Sequence, residues 1–259
     1  MGELAVLVLV LGVTVLGCQA PRGVSRLVGG SDPRGLYSDV VSELVASLQV
    51  CLCCHELRGL GPLSPPTLLV AIYVLTVTHG VTSEGALTNP CSALEGFLRG
   101  RLGPGRAAVK MLSQLAGAGL ARALADLLWS LDLTLLGHVA AGPCHSALGL
   151  GPVSGAVTEM ACTLAIYTLL LHCQAWTPHH KAHLVAATIT FLVFIVGHLT
   201  GPMVNPALAY SMTFHCPGAS FSEYCLVYWL GPFMGVATAL MLFRVTSGER
   251  RTQQREKFD

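Results

Sequence analysis

The sequence predicts an all-α membrane protein with six transmembrane helices, two short re-entrant half-helices and an extra apolar segment near the N-terminus. Composition is the first of three supporting observations. Of the 259 residues, 53% are hydrophobic and 11% are charged, with a mean hydropathy of +0.62, whereas soluble domains have roughly a quarter of their residues charged. The other two observations are a series of apolar runs long enough to span a bilayer and a duplicated Asn-Pro motif.

Six apolar runs approach or reach the roughly 20 residues that cross a hydrocarbon core of ~30 Å. They cover residues 38–57, 66–82, 107–128, 152–173, 182–199 and 221–243. A shorter seventh run covers residues 4–18. It follows Glu3 and no basic residue, whereas a secretory signal begins with positive charge. Because Pro21 also disfavours cleavage after residue 20, we expect an uncleaved anchor, with a removed signal peptide as the alternative.

The basic residues orient these helices. With six spans, all but two of the 15 Lys and Arg residues fall at one face of the membrane; Arg58 lies at the opposite face and Arg122 lies inside the third span. Residues 129–151 and 200–220 contain no Lys or Arg. Cytosolic loops are enriched in Lys and Arg, so both ends of the six-helix core are predicted to be cytosolic.

An internal repeat divides the core into two halves. The chain's two asparagines both precede proline, in Asn89-Pro90-Cys91 and Asn205-Pro206-Ala207, and each follows a membrane carboxylate by 46 positions, Glu43 in the first half and Glu159 in the second. Three spans separate equivalent points, so the second copy enters the membrane from the opposite face. This pattern is typical of an inverted repeat.

The runs that follow the two asparagines, 89–98 and 205–214, are apolar but too short to span. Asn is a strong N-cap and Pro is favoured at the first helical position, so each run is predicted to be a half-helix. Their N-termini would meet near the midplane, where both helix dipoles repel cations. The Asn amides would donate hydrogen bonds to a solute oxygen. A pore for water or small polyols, closed to ions and protons, is predicted.

Glu43 and Glu159 are costly in hydrocarbon unless each finds hydrogen-bond donors. We expect each carboxylate to accept backbone N–H groups of a re-entrant loop and hold it in place. A proton-relay role is the alternative. Small residues in the third and sixth spans, including Gly117 and Gly235, indicate close helix packing.

These features resemble the aquaporin (major intrinsic protein) family over residues 38–243. Cys91 in the first motif, the run at 51–57 (CLCCHEL) and the run at 227–230 (VYWL) are similar to the superaquaporin branch, in particular its aquaporin-11 group. The resemblance implies a right-handed bundle and a homotetramer with one pore per subunit. It also implies transport of water, glycerol and hydrogen peroxide, and residence in the endoplasmic reticulum, with other intracellular membranes or the plasma membrane as the alternative. No cofactor, metal, enzymatic activity or nucleic-acid partner is implied.

Two positions depart from the family pattern. Ordinary members have Arg immediately after the second motif and a His on the fifth span, whereas here these places hold Leu208 and Val193. We therefore expect a wider, more apolar constriction that is slower for water and permissive to glycerol or peroxide. Tyr210 replaces the acidic residue of dedicated glycerol channels. A non-conducting or weakly conducting scaffold of the same fold is the alternative function.

Cysteine suggests one cross-link and no metal site. Cys144 and Cys216 lie in the two loops without basic residues, on the non-cytosolic side, where a lumen would be oxidising. A disulfide between them, within or between subunits, is the expectation. Thiols and His55 in the run at 51–57 are too close along one helix to surround a zinc ion. A seven-helix receptor and an intramembrane protease fit less well, because neither has its characteristic motif.

The sequence thus divides into five parts. They are an N-terminal apolar segment with a basic linker (1–37), a first half-repeat (38–128), a non-cytosolic connecting loop (129–152), a second half-repeat (153–244) and a polar cytosolic tail (245–259).

Overall fold

The structure, a computed structural model, describes residues 8, 12–20, 23, 35–59, 63–130 and 144–255. From residue 35 onward, these residues form helices α1 (Leu36–Gly59), α2 (Pro65–Thr82), α3 (Pro90–Leu98), α4 (Pro104–Ser130), α5 (Pro152–His172), α6 (Pro178–Thr200), α7 (Pro206–Thr213), α8 (Phe221–Cys225) and α9 (Gly231–Arg255). A π-helical turn, Leu226–Leu230, joins α8 to α9. We call these last three pieces together the final helix.

Parts of the predicted organisation lie outside the described residues. The N-terminal apolar segment is helical over residues 12–20, while positions 4–7 and 9–11 are not described. Positions 131–143 of the connecting loop and 256–259 of the tail also lie outside the described range.

Proline marks the start of most of these helices. Six of them begin at a Pro, which suits the first helical turn because its missing N–H would have no partner there. The side chains of Ser64 and Thr177 cap α2 and α6 by accepting N–H groups from the first turn. Gly201 ends α6 with a left-handed φ of 63°, which glycine adopts without a steric cost. The chain therefore turns abruptly into the segment that precedes α7.

The packing follows the inverted repeat. α1 packs along α4, α5 packs along the final helix, and α2 packs against α6. The short helices α3 and α7 lie inside this bundle, with α3 against α4 and α9 and α7 against α4 and α1. The first four helices therefore correspond in order to α5, α6, α7 and the final helix.

By length and composition, five of the described helices can cross a membrane: α1, α2, α5, α6 and the final helix. The remaining long helix, α4, has 27 residues, about 40 Å at 1.5 Å per residue, but it contains Lys110, Gln114 and Arg122. These three side chains bond to other parts of the protein. α4 is therefore long enough to cross with its polar groups directed at neighbouring helices.

Glycines allow the main helix pairs to come close. A Cβ on Gly117 of α4 would lie 2.2 Å from the carbonyl oxygen of Leu44 on α1, and one on Gly235 of α9 would lie 2.6 Å from that of Met160 on α5. Leu44 and Met160 directly follow the two membrane glutamates. The close contact between backbones thus recurs at equivalent places in both halves.

Replacing Gly117 with Ala tests this contact. The added methyl group would meet backbone rather than a flexible side chain, so we expect Gly117→Ala to destabilise the protein by about 1–3 kcal/mol. Thermal unfolding in detergent measures the loss. Gly105→Ala on the same helix is the control, because a Cβ there meets nothing within 4 Å. Equal melting temperatures for the two variants would contradict the close approach of α1 and α4.

Candidate pore

The N-termini of α3 and α7 meet through a reciprocal pair of hydrogen bonds. The Asn89 side-chain nitrogen donates to the carbonyl oxygen of Val204 at 3.0 Å, and the Asn205 nitrogen donates to that of Thr88 at 2.9 Å. The side-chain oxygens cap their own helices by accepting the N–H groups of Cys91 and Ala207. An amide nitrogen has two hydrogens, so each Asn keeps one N–H for another acceptor.

The residue before each Asn has an unusual backbone conformation. Thr88 has φ of 55° and Val204 has φ of 46°. Positive φ is strained for β-branched side chains, and such strain persists only where surrounding contacts enforce it. In this conformation each residue directs its N–H at a glutamate of its own half and its carbonyl at the Asn of the other half.

The two glutamates supply the enforcing contacts. Glu43 accepts the N–H groups of Leu87 at 2.9 Å and Thr88 at 3.0 Å. Glu159 accepts those of Met203 at 3.1 Å and Val204 at 2.8 Å. Both carboxylates are fully buried, and hydrogen bonds to a charged acceptor are roughly twice as strong as neutral ones. The structure places both side chains where the sequence predicts a loop anchor.

Charge compensation differs between the halves. Lys110 of α4 donates to Glu43 at 2.9 Å and forms a second salt bridge with Asp39 at 2.7 Å, and Arg106 also pairs with Asp39. Glu159 forms no salt bridge with any residue that the structure describes. The first anchor therefore belongs to a cluster of two acids and two bases in which Arg106 is exposed and the other three residues are buried, and the second relies on dipoles.

A cavity of about 790 Å³ passes beside the two Asn side chains. Among its lining residues are Asn89, Asn205, Leu208 and Val193, so the structure brings four of the predicted pore residues to one cavity. A water molecule occupies about 30 Å³ in the liquid. The cavity therefore has room for several water molecules.

The wall of this cavity changes character along its length. Along the C-terminal half of α2 and at the start of α3 it has polar side chains, including Thr76, His79, Ser83 and Ser92. Near the start of α2 and along α6 and α7 it is mainly aliphatic, with Leu63, Leu68, Val193, Leu208 and Met212. A solute therefore meets polar side chains beside α2 and at the Asn pair, and mainly aliphatic ones beside Leu208 and Val193.

The other residues of the two motifs are packed inside the protein. Pro90 and Pro206 are fully buried. Cys91 is buried in an apolar cluster with Cys162 and Tyr167, and Ala207 is buried in a second cluster with Cys51. The structure therefore places these four predicted pore residues behind the cavity wall, where they position the asparagines.

Several contacts to α7 were not predicted from sequence. The His55 ring is 3.0 Å from the Ser211 hydroxyl, which donates to the Ala118 carbonyl at 2.8 Å. Arg122 donates to the Phe214 carbonyl, just beyond α7, at 2.6 Å. These residues lie 92 or more positions from their partners. A polar residue inside a membrane span, such as His55 or Arg122, indicates that a hydrogen-bond partner must exist. The sequence does not show which residue that partner is.

Cys144 and Cys216 are bonded in the structure, with their Cα atoms 5.2 Å apart. The adjacent backbone adds a hydrogen bond from Ser146 to Pro217. Arg122 also donates to the Cys144 sulfur at 3.5 Å. The segment that follows α7 is thus tied to the segment that precedes α5.

Within the described ranges, no three His, Cys, Asp or Glu side chains are grouped to hold a metal ion.

Comparison with known proteins identifies relatives over most of this chain. The family model described as Major intrinsic protein matches residues 67–243. Aquaporin-11 from Homo sapiens is 35% identical over 227 residues, which cover 85% of this chain and 83% of that protein. Aquaporin-12 from Mus musculus is 34% identical over 235 residues, which cover 87% of this chain and 80% of that protein.

A solved structure shares the fold. The X-ray structure of the aquaglyceroporin from Plasmodium falciparum matches with a TM-score of 0.67, over 81% of this chain and 96% of that chain. The identity is 12%, so this likeness shows the fold alone. The predicted bundle of membrane-spanning helices with two re-entrant half-helices is confirmed.

The buried charge cluster makes Lys110 a critical residue. Lys110→Met would leave the Glu43 and Asp39 carboxylates buried with less compensation, and we expect a loss of about 3–5 kcal/mol in stability. Thermal unfolding in detergent measures it. Lys181→Met, which removes a half-buried lysine that bonds the Gln174 carbonyl and pairs with no carboxylate among the described residues, should change stability little. Adding Glu43→Gln to Lys110→Met should recover part of the loss; no recovery would argue against a charge effect.

The disulfide can be tested by differential alkylation of protein isolated from cells. We expect Cys144 and Cys216 to resist a maleimide until reductant is added, whereas the partly exposed Cys173 and Cys225 react without it. Mass spectrometry identifies the modified residues. Cys216→Ser should make Cys144 reactive without reductant. Full alkylation of both residues in unreduced wild-type protein would exclude the bond.

Proposed function

The chain belongs to the major intrinsic protein family, whose members are membrane channels, and we propose that it conducts water, glycerol and hydrogen peroxide passively while excluding ions and protons. The membership confirms the resemblance drawn from the sequence, including its likeness to aquaporin-11 among the superaquaporins. A membrane channel for water or small solutes is therefore the general function. The permeants and the mechanism of selection are the proposal.

The observation that carries the proposal is the meeting of two Asn-capped half-helices at the wall of one cavity. Both N-termini direct their dipoles at the same region, which disfavours a cation there. Each Asn keeps one N–H that can donate to a passing oxygen. A water bound between the two amides accepts from both and cannot pass a proton along the file. Neutral solutes with an accepting oxygen are favoured.

The proposed permeant class rests on the volume of the cavity and the chemistry of its wall. A cavity of about 790 Å³ has room for a solute larger than water, and the side chains of Leu208 and Val193 offer it no hydrogen bond. Glycerol and hydrogen peroxide are small and uncharged, and the carbon atoms of glycerol can contact aliphatic side chains. We propose that water flux is modest in comparison with narrower polar channels.

The cellular setting and assembly are part of the proposal. Residence in the endoplasmic reticulum and a homotetramer with a pore in each subunit rest on the resemblance to the superaquaporins. Exposed apolar side chains on α2 and α6, including Val70, Val74, Phe191 and Phe194, are suited to contact either lipid or another subunit.

Reconstituted vesicles test the channel function. We expect wild-type protein to raise water, glycerol and peroxide permeability above that of protein-free vesicles, measured by stopped-flow light scattering and a peroxide-sensitive dye. Asn205→Ala removes the cap and the bond to Thr88, and a loss of about 1.4 kcal/mol would lower flux about tenfold. Thr238→Ala is the control, because this exposed hydroxyl on α9 bonds only its own helix.

Two results would contradict the proposal. Wild-type fluxes equal to those of protein-free vesicles would favour the non-conducting scaffold. Fast water flux with glycerol and peroxide at background levels would leave a water channel but remove the apolar filter. Circular dichroism and gel filtration of Asn205→Ala distinguish lost conduction from lost folding.

A further inference from the structure

Arg58 is the only Asp, Glu, Lys or Arg among the described residues that line the cavity. It lies at the non-cytosolic end of α1, and it is the basic residue that the positive-inside pattern leaves on the wrong face. The aliphatic residues Leu63, Leu208 and Met212 line the same cavity. A permanent charge in this apolar part of the wall is costly unless it is compensated by a partner.

The Arg58 side chain is held in place but is not neutralised. One guanidinium nitrogen donates to the carbonyl oxygen of Met212, near the C-terminal end of α7, at 3.3 Å. An arginine has five N–H donors, and the other four have no acceptor among the residues that the structure describes. Arg58 also forms no salt bridge with any described residue. Its charge and its free donors are therefore available to the cavity.

Two charged residues of α4, Arg122 and Asp126, act on Arg58 electrostatically, with opposite signs. Asp126 is exposed, so water weakens its effect, and the positive charge of Arg122 adds to that of Arg58. Neither residue is among the described residues that line the cavity, so Arg58 is the charge that a solute in this part of the cavity meets directly.

We propose that Arg58 is the selectivity residue of the non-cytosolic entrance, a guanidinium supplied by α1 that repels cations and hydrogen-bonds the oxygen atoms of entering neutral solutes. Leu208, on α7, offers neither property. This assignment rests on the proposed channel function. It adds a cationic barrier outside the Asn pair, in series with the two helix dipoles.

Cys54 provides a local measure of this field. It precedes Arg58 by one helical turn, lines the same cavity and is partly exposed. Residues four apart lie on the same face of a helix. The rates at which Cys54 reacts with an anionic and a cationic methanethiosulfonate reagent therefore report the potential beside Arg58, and mass spectrometry assigns the reaction to Cys54.

The full-length protein in vesicles is compared with Arg58→Gln, which keeps a donor for the Met212 carbonyl, and with Arg58→Lys, which keeps the charge. We expect the anionic reagent to react faster with wild-type protein. The ratio of anionic to cationic rates should fall at least about tenfold in Arg58→Gln, as expected for the loss of a unit charge at short range, and should be retained in Arg58→Lys. Arg122→Met, which removes an arginine bonded beside the same half-helix but absent from the described cavity wall, should cause less than half of that change.

Flux provides the second measurement. In Arg58→Gln vesicles, potassium flux relative to glycerol flux should rise at least about tenfold, equivalent to about 1.4 kcal/mol. If wild-type vesicles conduct no solute, the channel function fails, while the thiol ratio still decides whether Arg58 sets the field. The proposal is overturned if Cys54 reacts with neither reagent. It is also overturned if the ratio is unchanged in Arg58→Gln, or if Arg122→Met has an equal effect and both arginines are merely helix caps.

Discussion

The structure depends on two carboxylates that hold strained turns inside the membrane. Glu43 and Glu159 each accept two successive backbone N–H groups, and the second of these belongs to Thr88 or Val204, whose φ is positive. A buried backbone N–H without a partner costs free energy comparable to a lost hydrogen bond. The glutamates remove that cost, and they thereby allow two irregular segments to exist inside the bundle of membrane helices.

The order of contacts explains how the two halves are joined. In each turn, the backbone N–H of Thr88 or Val204 donates to the glutamate of its own half. The carbonyl oxygen of the same residue accepts a hydrogen bond from the asparagine of the other half. A single residue thus links the scaffold of one half to the functional side chain of the other. The glycine contacts at Gly117 and Gly235 bring α4 and α9 against the helices that carry these glutamates. The position of each amide is therefore set by the whole bundle.

The repeat could be predicted from the sequence because its signals are local. Two Asn-Pro pairs at equal distance from two membrane glutamates predict the half-helices at 89–98 and 205–214, and the structure has them at Pro90–Leu98 and Pro206–Thr213. What the motif residues contact is not local. Cys91 and Ala207 are turned into apolar clusters, and Ser211 meets His55 and Arg58 meets the Met212 carbonyl across more than 150 positions. Spacing along the chain does not predict such contacts, because they depend on how the helices pack against one another.

The difference in polarity between the two parts of the cavity wall affects which solutes would pass faster. Beside α2 and the start of α3, Thr76, His79 and Ser92 can replace part of a solute's hydration shell. The side chains of Leu208 and Val193 cannot, and Arg58 is the one charged donor among the described residues of the wall. A solute that needs few hydrogen bonds to replace its hydration shell would therefore pass the aliphatic part more easily than one of similar size that needs many, whereas a uniformly polar passage would not separate the two.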